Sequence, residues 1–205
     1  MIIKKIIDLC KKRGICYLYD GADVQYISDG AAIYPMYNLP RFDENTLCRT
    51  YDITDTQQNK IHFHHSRELP MHLDLSDNTD SEVLCQRGSM VLSIAGGGAV
   101  PYMTSQGLMF INAKYLTPLS DVRDNMIEVY ERISTSGNTY FVIKSGFVLL
   151  AAVTPYEVIN PKFVDDLSAL TAMCKVALEN QQLSTQPKTQ QLKMFDTEGN
   201  DSANE

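Results

Sequence analysis

His62-Phe63-His64-His65 is the densest group of metal ligands or bases in the chain. On a strand, side chains alternate, so His62 and His64 would share one face and His65 would point to the other. Two imidazoles fall short of a closed zinc site, which takes four ligands. His72, Asp74 or Cys85 could complete one only if the fold brings them alongside, and solvent-facing histidines are the plainer reading. Gly96-Gly97-Gly98 could cradle a phosphate but matches neither glycine-rich phosphate motif, so it reads as a turn between strands. Asp165-Asp166 lies near a helix start, where carboxylates suit the helix dipole without a catalytic duty. No serine stands in a Gly-x-Ser-x-Gly elbow. Cys10 falls on an apolar stripe, as inert core, and the 11 tyrosines nominate no stacking platform. The sequence therefore names no catalytic residue, no metal ligand and no cofactor. A metal-dependent enzyme built on His62, His64 and His65 stands as the alternative.

Two other groups can bind rather than react. Lys4 and Lys11 are seven residues apart, as are Lys5 and Lys12, so on a helix each pair stacks on one side. Such a face could contact DNA phosphates, or simply keep the helix solvated. The net charge of −7 argues against a surface that clings to nucleic acid all over, but leaves room for one basic face. The second group is Gln191-Leu192-Lys193-Met194-Phe195. From Asn180 onward the composition is polar and cannot bury enough surface to offset its ordering entropy, which predicts a disordered tail. Leu192, Met194 and Phe195 then read as a docking peptide that orders on a partner. The alternative is that they fold back onto the body as a terminal strap.

The elements that would position these groups follow from periodicity. Ile2 to Arg13 reads as an amphipathic helix stopped by Gly14, followed by strands at Ile15 to Tyr19, Val24 to Ile27 and Ala31 to Met36, with Asp-Gly turns between them. Glu44 to Asp52 could be a short helix, Lys60 to His65 a strand, Asp74 to Glu82 an acidic loop and Met90 to Ile94 a strand. Gly107 to Asn112 reads as a strand, Ala113 to Val122 as a short helix interrupted by Pro118, and Met126 to Ile133 as a strand. Tyr140 to Lys144 and Phe147 to Val153 make a hairpin. Asn160-Pro161 opens a helix with the stripe Phe163, Leu167, Leu170, Cys174 and Leu178. The fold class is α+β, with antiparallel meanders and short helices in a body over residues 1–180 and a tail over 181–205. Five cysteines without Cys-x-x-Cys spacing read as reduced thiols of a cytoplasmic protein. No apolar run is long enough for a membrane span, and the N-terminus lacks the pattern of a signal peptide.

The tail string resembles the bacterial sliding-clamp-binding motif, Gln-Leu-x-(Leu/Met)-Phe. The resemblance implies that Gln191 hydrogen-bonds at the rim of a pocket on the clamp, which Leu192, Met194 and Phe195 fill. Two body segments resemble the sliding-clamp (DNA processivity factor) fold. They are Cys16 to Tyr34, with its Ser28-Asp29-Gly30 turn, and Gly107 to Val153, with Asn112-Ala-Lys-Tyr-Leu116 before a meander. Clamp domains carry a helix and then a meander in the same order, and basic helices line their DNA channel. Residues 37–106 do not fit one such repeat and would be a divergent region. The resemblance implies a non-enzymatic accessory of DNA replication or repair in a bacterial cytoplasm. Its partners would be a bacterial sliding clamp and, through Lys4, Lys5, Lys11 and Lys12, DNA. The small, acidic character of the chain points towards a phage or mobile element. An oligomeric phage or structural protein, a homo-oligomer built on the Pro161 to Asn180 helix, is the third class.

Overall fold

The computed structural model describes residues 1–94 and 97–183. Helix α1, Ile3–Arg13, buries Ile6, Ile7, Leu9 and Cys10. It ends at Gly14, whose φ of 74° lets its amide return to the Cys10 carbonyl at 2.8 Å. Strands β1 (Ile15–Asp20), β2 (Gln25–Ser28) and β3 (Ala32–Pro35) follow as an antiparallel meander. The turn between β2 and β3 is held by Asp29, whose Oδ1 accepts from the amides of Ala31 and Ala32, both at 3.0 Å.

Helices α2 (Glu44–Thr50) and α3 (Asp55–Gln58) lead to β4, His62–Ser66. Asp43 caps α2 through the Thr46 amide at 2.7 Å, which sets its start. Short strands β5 (Val83–Leu84), β6 (Gln86–Arg87) and β7 (Leu92–Ile94) precede the hairpin of β8 (Gly97–Thr104) and β9 (Gly107–Asn112). The helix expected over Ala113 to Val122 is instead two 3-10 turns, Ala113–Tyr115 and Thr117–Leu119. Pro118 has no amide to donate and cannot sit inside a longer α-helix. A third such turn, Asp124–Met126, leads into β10 (Ile127–Ile133), then β11 (Thr139–Ser145) and β12 (Val148–Val153). Helix α4 spans Pro161–Leu183, with Asn160 Oδ1 accepting from the Phe163 amide at 3.0 Å.

The fold is α+β. Eight strands form one sheet in the order β4-β1-β2-β3-β12-β11-β10-β5, antiparallel throughout except for the parallel β1–β4 pair. The order contains two halves, each a helical segment followed by a three-stranded meander. They meet where β3 and β12 pair antiparallel, Ile33 opposite Ala152 and Ala32 opposite Val153. β8 pairs with β6, β7 and β9 in a second sheet. The chain divides into two compact units, Met1–Val158, which holds both sheets, and a second that begins at Ile159 and carries α4. Among the described residues no helix is long and apolar enough to cross a membrane.

Both faces of the large sheet are buried. Ile27, Phe141, Ile143 and Val153 face the core that α1 covers. Ile33, Tyr140, Val142, Leu149 and Ala152 pack on the other side against Leu75, with Leu69 and Leu73 alongside. That second cover is the irregular acidic segment before β5, and ions anchor it. The side chains of Arg132 and Lys144 are 1% and 2% exposed, and both bond Glu82. Arg132 Nε and Nη2 lie 3.0 and 2.5 Å from Glu82 Oε2, and Lys144 Nζ lies 2.6 Å from Oε1. Arg132 also donates to the carbonyls of Asp74 and Ser76, both at 2.9 Å, and Lys144 to Asn78 Oδ1 at 2.9 Å. Tyr140 Oη accepts the Asp74 amide and donates to the Asp74 carbonyl, both at 3.0 Å.

Removing one member of a buried ion cluster leaves the others uncompensated. Glu82→Gln is expected to cost about 3 kcal/mol at neutral pH, read by urea unfolding. Burial pushes the Glu82 carboxyl up, but hydrogen bonds from Lys144 and Arg132 outweigh it and hold the group below its ordinary value. A carboxyl depressed in the fold stabilises at neutral pH and loses that contribution as pH falls through its folded-state pKa. The gap between wild type and Glu82→Gln should therefore be full at neutral pH and close in acid. A gap that widens in acid would refute this assignment.

Candidate nucleic-acid interface

Helix α1 presents the basic residues singled out in the sequence, and the fold sorts them. Lys4 and Lys12 are exposed. Lys5 is turned inward: its Nζ lies 2.7 Å from Ser120 Oγ and 3.2 Å from the Thr117 carbonyl. Lys11 stands 3.9 Å from Asp8, one turn earlier. The N-terminal end of α1 is stitched to the second 3-10 turn. The Ile2 amide donates to the Pro118 carbonyl at 2.7 Å, and the terminal amine pairs with Asp121. Its hydrogen bond to that amine holds the Asp121 carboxyl below its ordinary range, against a smaller upward push from burial.

The other end of the helix gains cations that sequence spacing did not connect. Arg13 Nη1 donates to Tyr115 Oη at 3.2 Å, and Lys114 Nζ sits 4.7 Å from the centre of the Tyr115 ring. Tyr115 Oη in turn donates to Asp29 Oδ2 at 3.1 Å, and the Tyr34 hydroxyl donates to the Tyr115 carbonyl at 2.9 Å. Burial, then the Asp29 charge, pushes the Tyr115 hydroxyl up to about 12, so it stays a donor. The exposed basic residues of α1 and the first 3-10 turn are thus Lys4, Lys12, Arg13 and Lys114. The signal was present, since Arg13 closes the helix and Lys114 lies in the Asn112 segment. Nothing local in the sequence puts residues 101 apart on one tyrosine. Cations anchored in this way can bind a phosphate backbone without reading bases.

The histidines do not converge on a metal site. His62, His64 and His65 are all exposed on β4. His64 stacks on Tyr17, ring centres 4.9 Å apart, and Tyr17 stacks on Tyr19 at 5.8 Å. His65 Nε2 lies 2.9 Å from Asp20 Oδ2. Burial raises the Asp20 carboxyl, but hydrogen bonds from Gln25 and His65 outweigh it and leave it below its ordinary range. Of the proposed additional ligands, Asp74 lies beside Arg132 and Cys85 is buried, its thiol raised to about 11 by burial and the Glu131 charge. Among the described residues no group of three or more His, Cys, Asp or Glu side chains could hold a metal ion. The Cys16 thiol and burial push the Cys10 thiol far above its ordinary value, which makes it inert core.

Of the glycine triplet, Gly97 and Gly98 open β8, while Gly96 lies outside the described residues, as do Gln191, Leu192, Met194 and Phe195. Beside the 3-10 turns a groove of about 480 Å³ is lined by Val100, Tyr102, Leu116, Leu119, Ile127 and Val129. No family model matches the chain, and no curated protein or solved structure matches it.

If this face meets DNA, binding is weak, salt-steep and indifferent to sequence. Lys4→Glu, Lys12→Glu and Lys114→Glu together should abolish it at moderate salt and flatten the salt dependence by roughly two to three units of slope. The clean test leaves Lys5 alone, because its contacts to Ser120 and Thr117 are structural. Fluorescence anisotropy with a labelled duplex over a salt series reads the result, and unchanged binding by the triple variant removes the face from consideration.

Proposed function

We propose that this chain is a non-enzymatic accessory of DNA replication or repair that docks on a bacterial sliding clamp. The contact is made by Gln191, Leu192, Met194 and Phe195. The observation that carries the reading is the string Gln191-Leu192-Lys193-Met194-Phe195, which places three apolar side chains in a polar segment with nothing nearby in sequence to bury them against. The body adds support of a different kind. Its two helix-then-meander halves, joined by β3 and β12, follow the element order of the clamp-like segments. Residues 37–106, the part that does not fit that order, supply α2, α3 and β4 to β8. The exposed basic residues on α1 and the first 3-10 turn give the body a face that suits DNA.

Most of the affinity of such a peptide comes from its buried anchors, about 1.5–3 kcal/mol for each Leu or Phe. Ordering a short flexible segment opposes this, so micromolar binding is expected of an isolated peptide. Calorimetry with a bacterial clamp and a peptide covering residues 186–200 is the test. Leu192→Ala with Phe195→Ala should remove the heat, while Lys193→Ala should change affinity less than about threefold, since that position is variable in the motif. Absence of heat at high micromolar peptide, with no competition against a known clamp ligand, would reject the reading.

A further inference from the structure

The face of the large sheet that α1 does not cover carries a row of rings over β4 and β1. His64 stacks on Tyr17 with ring centres 4.9 Å apart and planes 19° apart, and Tyr17 stacks on Tyr19 at 5.8 Å and 8°. The row ends at Tyr19, and Tyr19 is also a wall of a cavity of about 130 Å³. Ile33, Pro70, Leu73 and Ala152 give that cavity an apolar lining, and the exposed residues Gly30, His72 and Thr154 stand at its mouth. The mouth adjoins the row, since a Cβ on Gly30 would lie 3.4 Å from Tyr17 Cε2. Rings paired across strands stabilise a sheet by themselves. A cavity at the end of the row does not, because its lining forgoes dispersion contacts. The cavity is therefore the part of this face that points to a ligand.

We propose that this face binds a pyrimidine-bearing single strand of nucleic acid, with one base in the cavity against the Tyr19 ring. Size selects the ring. An apolar cavity of about 150 Å³ holds benzene, so this one holds a single six-membered ring and excludes a fused purine. The lining selects its chemistry. A sugar ring would carry hydroxyls on all sides into apolar walls at a cost for each, whereas a base has two apolar faces and keeps its polar atoms on its edge. Two polar groups can meet that edge. Ser28 Oγ accepts the Gly30 amide at 2.9 Å and keeps its proton to donate, and the His72 imidazole lies at the mouth. Charge selects a strand over a free base. Exposed Lys60 and Arg67 flank β4, residues 61–66 between them include no acid, and the Asp20 carboxylate at this edge is paired with His65. Stacking rings beside cations that track a backbone are the parts from which single-strand sites are built. The site lies on the sheet face opposite α1, and it depends neither on that helix nor on clamp docking.

Fluorescence anisotropy of the full chain with a labelled oligo(dT) of about ten nucleotides is the test. Saturable binding is expected, and Tyr19→Ala should weaken it on the order of tenfold to a hundredfold, while Tyr19→Phe retains it because the ring face makes the contact. Ala152→Leu grows a side chain into the cavity and should remove binding with the row of rings left in place; circular dichroism checks that each variant is folded. Lys60→Glu with Arg67→Glu changes only exposed positions, and should weaken binding and flatten its salt dependence by roughly one to two units of slope. Oligo(rU) offers a similar ring on the other sugar: binding of either strand supports the site, and the tighter one identifies the sugar it takes. Oligo(dA) should bind clearly less tightly than both. No saturable binding of either pyrimidine strand overturns the proposal, as does binding that survives both Tyr19→Ala and Ala152→Leu. Equal affinity for oligo(dA) overturns the single-ring cavity, and a loss in Tyr19→Phe as large as in Tyr19→Ala overturns stacking as its basis.

Discussion

Glu82 places one carboxylate between two cations that the fold has taken out of water. The large sheet requires such a device. Its strands bury side chains on both faces, so it needs two covers, and α1 with the 3-10 turns supplies one. The other cover has no helix or strand ladder to satisfy its backbone, and buried peptide groups without partners are costly. Arg132 takes the carbonyls of Asp74 and Ser76, and Tyr140 takes both backbone groups of Asp74. Asp77 accepts the amide of Leu149 in the strand beneath. Glu82 balances the charge that makes those bonds possible. Hydrophobic contact alone would hold Leu69, Leu73 and Leu75 against the sheet without fixing the path of the chain between them.

The same stretch of sequence also manages the edges of the sheet. Two meanders joined at β3 and β12 would leave β1 and β10 with unpaired backbone groups, which invite other chains. β4 pairs along β1 from His62 to Ser66, and β5 covers β10 at Tyr130 and Glu131. Glu131 ties the two sheets together, because both its carboxylate oxygens accept the Ser105 amide between β8 and β9. The region that the clamp resemblance left unplaced thus supplies one face cover and two edge strands.

What the sequence disclosed follows the range of the forces involved. Ile3–Arg13, the first meander, the Thr139–Val153 hairpin and the Asn160 cap of α4 rest on periodicity, turn residues and a local capping bond, all visible within a few positions. The ion cluster was not, because Glu82 lies 50 residues from Arg132 and 62 from Lys144, and an acidic segment reads as solvated when its cations are that far away. The Ala113–Leu119 turns were misjudged as one helix because helical composition there outweighed a single proline. Of the four lysines picked out by spacing, the fold exposes Lys4 and Lys12; the inward turn of Lys5 and the placing of Arg13 on Tyr115, next to Lys114, depend on contacts more than 100 residues apart.

The unequal halves are the deeper consequence of Pro118. In the first half an 11-residue helix spans its meander and carries the cations; in the second, two three-residue turns stand in the equivalent place. The groove lined by Val100, Leu119 and Val129 lies beside these turns, and Lys114 is the exposed cation of the first of them. A symmetric pair of basic helices would make a strong electrostatic surface; one helix with Lys114 at its flank, on a chain of net charge −7, makes a local one. If a body of this kind meets DNA, it holds it too weakly to stay on it unaided. Residence would then have to come from a second point of attachment, where linkage raises the effective concentration of the weak site without changing its own affinity.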